Sequence, residues 1–142
     1  MPDRSEIRLL IIDDDREFAD VLCMHLIAAG YAVEVAEDAI EGGKAVLARP
    51  PSLILCDVGM PYLDGLELMS LLQTDAESAS IPVIFVSGRS DSTTMARAVD
   101  LGAADFLTKP ITRDQLLQSV EACLRAGGRS ATPPDYRFTP VV

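Results

Sequence analysis

The stretch Leu53-Ile54-Leu55-Cys56-Asp57, four apolar residues followed by a carboxylate, decides the fold. It lacks alternating polar residues, as do strands that are buried on both faces of a sheet. Four more short apolar runs are Ile7–Ile12, Tyr31–Val35, Pro82–Val86 and Asp105–Leu107, and most of the five runs are rich in Val, Ile and Leu and lack strict polar alternation. Together these runs predict the strands of one buried sheet.

Amphipathic stretches with helical spacing of apolar residues separate and follow these runs. The last is the best signalled, because Thr112 and Gln115 fit a capping box. The second, near Ala39–Leu47, is the weakest, because Gly42 and Gly43 each cost about 1 kcal/mol relative to Ala in a helix. Five strands alternating with five helices predict an α/β fold. Its parallel sheet would carry helices on both faces and bind ligands at the carboxyl ends of the strands.

The composition limits the classes of function. The chain has 142 residues, of which 49% are hydrophobic and 24% charged, as expected for one globular domain. Its formal net charge is −10, and so acidic a surface repels phosphate backbones and anionic lipid. We therefore expect no direct binding to nucleic acid or to a membrane, and instead a metal cation or a basic protein partner.

The ends of the chain and its cysteines bear on location and domain organisation. Three cysteines without a C-x-x-C pair predict reduced, buried thiols. The segment Met1–Glu6 is too charged to begin a signal peptide, and no apolar run reaches the roughly 18–20 residues that span a bilayer, so a cytoplasmic location is expected. Residues 1–126 are predicted to form the domain. Residues 127–142 are predicted to be a flexible tail or linker stub, with a docking segment at Tyr136 and Phe138 as the alternative.

Polar residues stand at the ends of four of the five predicted strands. They are Asp13-Asp14-Asp15, Asp57, Ser87 and Thr108-Lys109-Pro110. Taken singly, most have an ordinary structural explanation as a helix N-cap, a turn residue or an exposed cation. Asp57 is less ordinary, because a carboxylate that finishes an apolar strand must be desolvated or find a partner.

Taken together, these residues fit one site. Because neighbouring strands lie about 4.8 Å apart, Asp13, Asp14 and Asp57 would place three carboxylates in one crevice. Such like charges raise each other's pKa unless a cation neutralises them, and carboxylates with water suit Mg²⁺. Lys109 and the Ser87 hydroxyl would add a positive charge and a hydrogen bond for an anion. These are the parts needed to form and hold an aspartyl phosphate.

At these positions the sequence resembles the receiver domain of two-component response regulators. The resemblance covers about residues 6–126 and rests on four stretches in the family's order and spacing. They are Ile11-Ile12-Asp13-Asp14-Asp15, Asp57-Val58-Gly59-Met60-Pro61 with Asp64-Gly65, Ser87-Gly88, and Gly102–Pro110. The resemblance implies a flavodoxin-like, doubly wound sheet in the order 2-1-3-4-5 with five helices.

The resemblance also implies a chemistry. Asp57 would be the phosphoacceptor, taking a phosphoryl group from the phosphohistidine of a sensor histidine kinase or phosphotransfer protein, or from a small acyl phosphate. Asp14, Asp57 and the backbone carbonyl of Gly59 would ligate Mg²⁺, with Mn²⁺ as a substitute, and Asp13 would act mainly through a bound water. Such a chain catalyses only its own phosphorylation and dephosphorylation, so it is a signalling switch and not a metabolic enzyme.

The resemblance also implies a conformational switch that involves Lys109, Ser87 and Phe106. Lys109, followed by a cis bond to Pro110, would contact one phosphoryl oxygen, and Ser87 would hydrogen-bond another and move inward. Phe106 would turn into the space that Ser87 vacates and reshape the face made by the fourth predicted helix, the fifth strand and the fifth predicted helix. That face would bind the downstream partner or a second copy of the chain. Asp15 would be the N-cap of the first helix.

The sequence departs from the family pattern at several of these positions. Ser87 stands where Thr is commoner, Gly88 where Ala is usual and Phe106 where Tyr is frequent. Ser keeps the hydroxyl with a less restricted rotamer, Gly88 widens access to the phosphoryl group, and Phe leaves the switch dependent on packing. Gly59 puts no side chain over the site, which leaves the lifetime of the phosphoryl group open.

Two other classes of protein compete with this interpretation. Asp13 and Asp15 also fit the D-x-D motif of haloacid-dehalogenase phosphohydrolases, but Glu17 stands where Thr or Val belongs and no cap insertion is present. A binding module that works without phosphorylation is the third class. The intact acidic set and Lys109 argue against it.

Overall fold

One parallel sheet organises the chain. The computed structural model describes residues 3–88 and 91–126. The strands are β1 (Arg8–Ile12), β2 (Ala32–Ala36), β3 (Leu53–Asp57), β4 (Val83–Ser87) and β5 (Asp105–Thr108). They pair in parallel in the order β2-β1-β3-β4-β5. The predicted α/β class and flavodoxin-like strand order are therefore confirmed.

The described residues contain six α-helices, where five were predicted. They are α1 (Arg16–Ala28), α2 (Ala39–Ala48), α3 (Gly65–Leu72), α4 (Ala76–Ala79), α5 (Ser92–Asp100) and α6 (Arg113–Arg125). The predicted number was wrong because α4 has no apolar repeat. It is a single turn, capped by Asp75 and held by the Ser78 hydroxyl, which donates to the Leu72 carbonyl at 2.5 Å. The fourth and fifth predicted helices are thus α5 and α6.

The helices cover both faces of the sheet, as the crossover rule requires. On one face, Leu22 and Leu26 of α1 and Leu116 of α6 belong to a core that includes the side chains of Leu9 and Leu55. The opposite face is covered by α2, α3 and α5, which contribute Val46, Leu66 and Ala98 to a second core. The strands β1, β3 and β4 are therefore buried between two apolar layers, which explains why they lack polar alternation, whereas the edge strand β2 is partly exposed.

Three strands extend one residue further than their apolar runs. Asp57, Ser87 and Thr108 are the last residues of β3, β4 and β5. The ladder pairs Asp57 with Val86 and Ser87 with Thr108. These side chains are therefore fixed by regular strand geometry at the end of the sheet where ligands bind in open α/β folds.

The glycine that weakened the second predicted helix has a packing role. A Cβ on Gly42 would lie 2.5 Å from the Ile12 side chain, so α2 approaches β1 more closely than any larger residue allows. Gly42 is buried within a continuous helix. The lower helix propensity of Gly42 is offset by the close packing of α2 on the sheet.

Two other predictions concern the ends of the chain and membranes. The predicted tail at residues 127–142, with Tyr136 and Phe138, lies outside the described residues. Among the helices of residues 3–88 and 91–126, none is long and apolar enough to cross a membrane.

Candidate functional site

Three carboxylates meet at the carboxyl edge of the sheet, by which we mean the residues at and directly after the ends of β1, β3, β4 and β5. Asp13 and Asp14 follow β1, and Asp57 ends the adjacent strand β3. One carboxylate oxygen from each lies within 4.8 Å of the others. Asp13 and Asp57 are only 2% and 6% exposed, while Asp14 is exposed. The structure thus brings together the acidic residues that the sequence analysis had named.

Lys109 connects two of these carboxylates. Its Nζ lies 3.3 Å from Oδ2 of Asp13 and 3.5 Å from Oδ1 of Asp57. Its backbone N–H donates to the carbonyl of Ser87 at 2.8 Å, which ties the loop after β5 to β4. The bond between Lys109 and Pro110 is cis, as the resemblance implied.

The electrostatics of the site show an excess of negative charge. Burial raises the pKa of Asp57 to about 6, and the negative charge of Asp13 acts in the same direction, while the Lys109 ammonium opposes both. Burial also raises the pKa of Asp13, although the Asp15 N–H and Lys109 lower it. One ammonium therefore does not balance three carboxylates.

This set of donors fits a hard divalent cation. Oxygen ligands from a few carboxylates, completed by water, are what Mg²⁺ takes in proteins. A divalent cation would also offset the burial that raises the pKa of Asp13 and of Asp57, because a nearby positive charge favours the ionised carboxylates.

Ser87 and Phe106 lie in the sheet beside these residues. Ser87 is 3% exposed at the end of β4, and Phe106 is 8% exposed in β5, paired with Phe85. Phe106 belongs to the same core as Ala98 of α5 and Ala103 of the loop before β5. The predicted switch aromatic is therefore buried in the core to which α5 contributes.

The two glycines that were expected to leave the site open do border free space. A Cβ built on Gly59 or on Gly88 would meet no heavy atom within 4 Å beyond the neighbouring residues. Gly59 lies in the loop that follows β3, two residues after Asp57. Neither position limits what approaches from outside.

Gly65, by contrast, supports the site through close contact. A Cβ there would clash with the backbone carbonyl oxygen of Asp57 and lie 3.0 Å from the Cys56 sulfur. Its N–H donates to the carbonyl of Val58 at 3.0 Å, and the preceding Asp64 begins α3 in a capping box. Gly65 was named only as part of a motif, and this packing role was not predicted from the sequence.

Phe18 is a second residue whose contact with the site the sequence analysis missed. The Lys109 ammonium lies over its ring, 4.3 Å from the centroid. Phe18 belongs to the apolar stripe of α1, so its spacing predicts only core packing. No local signal distinguishes a ring that covers a lysine from one that fills the core.

Asp105 is a third. It is 5% exposed at the start of β5, and its carboxylate accepts the Ser119 hydroxyl at 2.6 Å and the Phe106 N–H at 2.8 Å. The pair ties the strand that carries Phe106 to α6. An acidic residue that opens an apolar strand was the available signal.

Asp15 caps α1, as predicted. Its carboxylate accepts the N–H of Phe18 at 3.1 Å, and its own N–H donates to Asp13 at 2.9 Å. The second carboxylate of the dehalogenase-type motif is therefore engaged in starting a helix.

The comparison with protein families identifies the class of protein. The family described as the response regulator receiver domain matches residues 9–121. The chain therefore belongs to the receiver domain family of two-component response regulators. Members of this family are signalling modules and not classical enzymes, they bind Mg²⁺ at an acidic pocket, and response regulators interact with histidine kinases.

Curated relatives resemble the chain over only part of their own length. The chain is 36% identical over 122 residues to the DNA-binding dual master transcriptional regulator RpaA of Synechocystis sp., covering 86% of this chain and 51% of the relative. It is 34% identical over 133 residues to the response regulator MprA of a Mycobacterium species, covering 94% and 57%. The chain thus spans about half the length of these relatives.

Solved structures agree with the fold. The receiver domain of a signal transduction histidine kinase from Syntrophus aciditrophicus superposes with a TM-score of 0.77 at 32% identity, over 84% of this chain and 90% of that one. The receiver domain of NtrX from Brucella abortus gives a TM-score of 0.77 at 29% identity, over 82% and 98%.

Proposed function

We propose that the chain is a phosphorylation-controlled switch in which Asp57 accepts a phosphoryl group from the phosphohistidine of a sensor histidine kinase or phosphotransfer protein. A small acyl phosphate would serve as an alternative donor. The observation that carries the proposal is the setting of Asp57. It is a buried carboxylate at a strand end, with two more carboxylates beside it and the Lys109 ammonium at 3.5 Å.

The transfer needs little covalent chemistry from the protein. A carboxylate oxygen of Asp57 attacks phosphorus, the bond from phosphorus to the imidazole nitrogen breaks, and that nitrogen keeps the electron pair. The product is an acyl phosphate on Asp57. Lys109 contacts one phosphoryl oxygen and the Ser87 hydroxyl donates to another, so that charge on the transferred group is stabilised where it accumulates.

The metal would be held by the acidic cluster. Asp14, Asp57 and the Gly59 carbonyl are the proposed direct ligands of Mg²⁺ or Mn²⁺, and Asp13 acts mainly through a water. When bound, the cation neutralises the carboxylates and the phosphoryl oxygens. Burial raises the pKa of Asp57 and so favours its protonated form. A bound cation would favour the ionised carboxylate, which is the form that acts as the nucleophile.

The output is a change in protein contacts. Ser87 moves towards the phosphoryl group, and Phe106 exchanges between its buried arrangement against α5 and a more exposed one. The surface formed by α5, β5 and α6 then changes its affinity for a downstream protein or for a second copy of the chain. Because one matched relative is named as DNA-binding, nucleic acid is a candidate target of a whole protein of that kind. For this chain, the net charge of −10 favours protein contacts.

Labelling with acetyl phosphate and Mg²⁺ tests the nucleophile. Wild-type protein should take up one phosphoryl group, and Asp57→Asn should take up none, measured by intact mass or a phosphate-affinity gel. Asp15→Asn is the matched control, since Asn also caps helices. It should label like wild type. Retained labelling of Asp57→Asn, or loss in Asp15→Asn alone, would overturn the assignment and favour the dehalogenase-type motif.

Beryllofluoride tests the switch. With Mg²⁺ it should shift amide resonances of Phe106 and of its neighbours on α5 and α6 in a heteronuclear NMR spectrum, and the shifts should vanish in Asp57→Asn. A spectrum that changes only around Asp57 would argue for a binding module whose surface does not respond to phosphorylation.

A further inference from the structure

Phe18 contacts the site through Lys109, yet nothing in the proposed phosphoryl transfer uses it. Its ring lies under the Lys109 ammonium at 4.3 Å from the centroid, within the range of a cation–π interaction. Among the residues that the structure describes, the Lys109 ammonium also contacts the carboxylates of Asp13 and Asp57, and its side chain is 21% exposed. The ring therefore covers a charged group that would otherwise meet water.

Local hydrogen bonds hold the backbone of Phe18 relative to the acidic loop. The Asp13 carboxylate accepts the Asp15 N–H at 2.9 Å, and the Asp15 carboxylate accepts the Phe18 N–H at 3.1 Å. Lys109 contacts both ends of this chain of contacts, the Phe18 ring and the Asp13 carboxylate. The start of α1 thus places the Phe18 ring and the Asp13 carboxylate around the same ammonium.

The ring matters most when the carboxylates have another partner. A divalent cation that neutralises Asp13 and Asp57 weakens their hold on Lys109, because both would then be shared between two positive charges. The ring face has no such competitor. It can keep the flexible lysine side chain in place at the stage when a phosphoryl oxygen needs it.

We propose that Phe18 is a positioning residue, whose ring holds the Lys109 ammonium at the phosphoryl site through a cation–π contact. The inference rests on the proposed function of Asp57 and adds a residue to it. The attraction depends on the ring's quadrupole, so an aromatic replacement should retain it and an aliphatic one of similar size should lose it.

The test compares Phe18→Leu with Phe18→Tyr. Phe18→Leu should slow phosphoryl uptake from acetyl phosphate by about 3- to 10-fold at saturating Mg²⁺, and Phe18→Tyr should restore it to within about 2-fold of wild type. Tyr31→Leu is the matched control. Tyr31 also faces a cation, Arg4 at 5.1 Å, but lies just before β2, away from the carboxyl edge. It should take up phosphate at the wild-type rate.

Two measurements separate positioning from a general effect on folding. In the Lys109→Ala background, Phe18→Leu should have no further effect on uptake, because the group it acts through is gone. NMR of the free protein should also show Lys109 ε-methylene resonances shifted upfield by the ring in wild type and Phe18→Tyr, and unshifted in Phe18→Leu.

The outcomes distinguish this inference from the proposed function. Wild-type protein that takes up no phosphate would contradict the role of Asp57, whatever Phe18 does. Normal uptake by Phe18→Leu would overturn the positioning role while leaving Asp57 intact. A loss that Phe18→Tyr fails to restore, or that persists without Lys109, would mean that Phe18 acts through packing of α1 alone.

Discussion

Charged side chains are held in two different ways at two places in the molecule. At the carboxyl edge, Lys109 lies between two buried carboxylates at 3.3 and 3.5 Å. In the N-terminal segment, Arg4 pairs with Glu121 at 3.0 Å, but the two side chains are 46% and 36% exposed. The shorter contact is the weaker one in free energy, because water and salt screen exposed charges. Burial, and not distance, therefore decides which charges matter here.

The same difference separates structural from functional roles. The exposed pair satisfies both partners and leaves nothing for a ligand. The buried set has more negative than positive charge, and burial raises the pKa of both Asp13 and Asp57. Such an unbalanced arrangement is typical of a site that is completed by a cation or a substrate.

The largest expected loss of stability comes from adding a side chain that clashes with the backbone of Asp57. Gly65→Ala should lower the free energy of unfolding by about 2–3 kcal/mol, because the new Cβ clashes with the Asp57 carbonyl and strand or helix must shift. Urea denaturation measures it. Gly59→Ala is the control, with no heavy atom within 4 Å of the added carbon, and should change stability by less than about 0.5 kcal/mol. Equal effects at both positions would show that the close approach at Gly65 is not what holds the site.

The next effect is a gain in stability when the buried charge is removed. The pKa of Asp57 is raised from 3.8 to about 6 in the folded protein. The folded state therefore binds the proton more tightly than the unfolded state. The ionised Asp57 carboxylate destabilises the folded protein, and this cost is absent below the unfolded pKa, grows as the pH rises to the folded pKa and is complete above it. At about pH 7 and without divalent cations, Asp57→Asn should be more stable than wild type by about 2–3 kcal/mol.

Unfolding of the two proteins as a function of pH checks this sign. The difference should shrink as the pH falls from about 7 and vanish near about pH 3, below the unfolded pKa, where wild-type Asp57 is mostly protonated in both states. Divalent cations should also reduce it by stabilising wild type preferentially. A variant that is less stable than wild type at neutral pH would mean that Lys109 and the local hydrogen bonds outweigh burial.

Removing the Lys109 ammonium tests the buried group of charges by the opposite change. Lys109→Met should raise the pKa of Asp57 further and destabilise the free protein by about 1–2 kcal/mol at neutral pH, because two neighbouring carboxylates lose their cation. The Asp57 carboxyl carbon followed by NMR reports the pKa. Lys44→Met is the control, since Lys44 is 73% exposed and pairs with Glu41 at 3.7 Å. It should leave stability within about 0.5 kcal/mol. An unchanged pKa of Asp57 in Lys109→Met would contradict the electrostatic account.

The sequence was sufficient for the sheet and for the carboxylate cluster, for a physical reason. Strands buried on both faces are long enough and apolar enough to be recognised, and parallel order brings their ends together. Asp13, Asp14 and Asp57 follow from that rule alone. The strand ends also predicted that Lys109 and Ser87 would bind an anion, whereas the switch roles of Ser87 and Phe106 came from the family resemblance. All of these roles remain proposals.

The contacts that the sequence did not predict depend on tertiary distances. The helix Ala76–Ala79 is one turn held by side-chain hydrogen bonds, and it leaves no periodic signal. In the sequence, Gly42 indicates only a weak helix. Its packing against Ile12 of β1 can be seen only when the sheet is in place. Phe18 and Lys109 are 91 positions apart, and nothing in either neighbourhood indicates that they meet.

The smallest expected effect lies at the exposed pair and tests the comparison directly. Glu121→Gln keeps a hydrogen-bond acceptor for Arg4 and removes only the charge. It should lower the free energy of unfolding by less than about 0.5 kcal/mol, and the difference should disappear in high salt. Arg4 also donates to the Ala29 carbonyl at 3.0 Å, so its position does not depend on Glu121. A loss above about 1 kcal/mol that survives high salt would mean that an exposed pair at 3.0 Å can match the buried one, and that distance had been undervalued against burial.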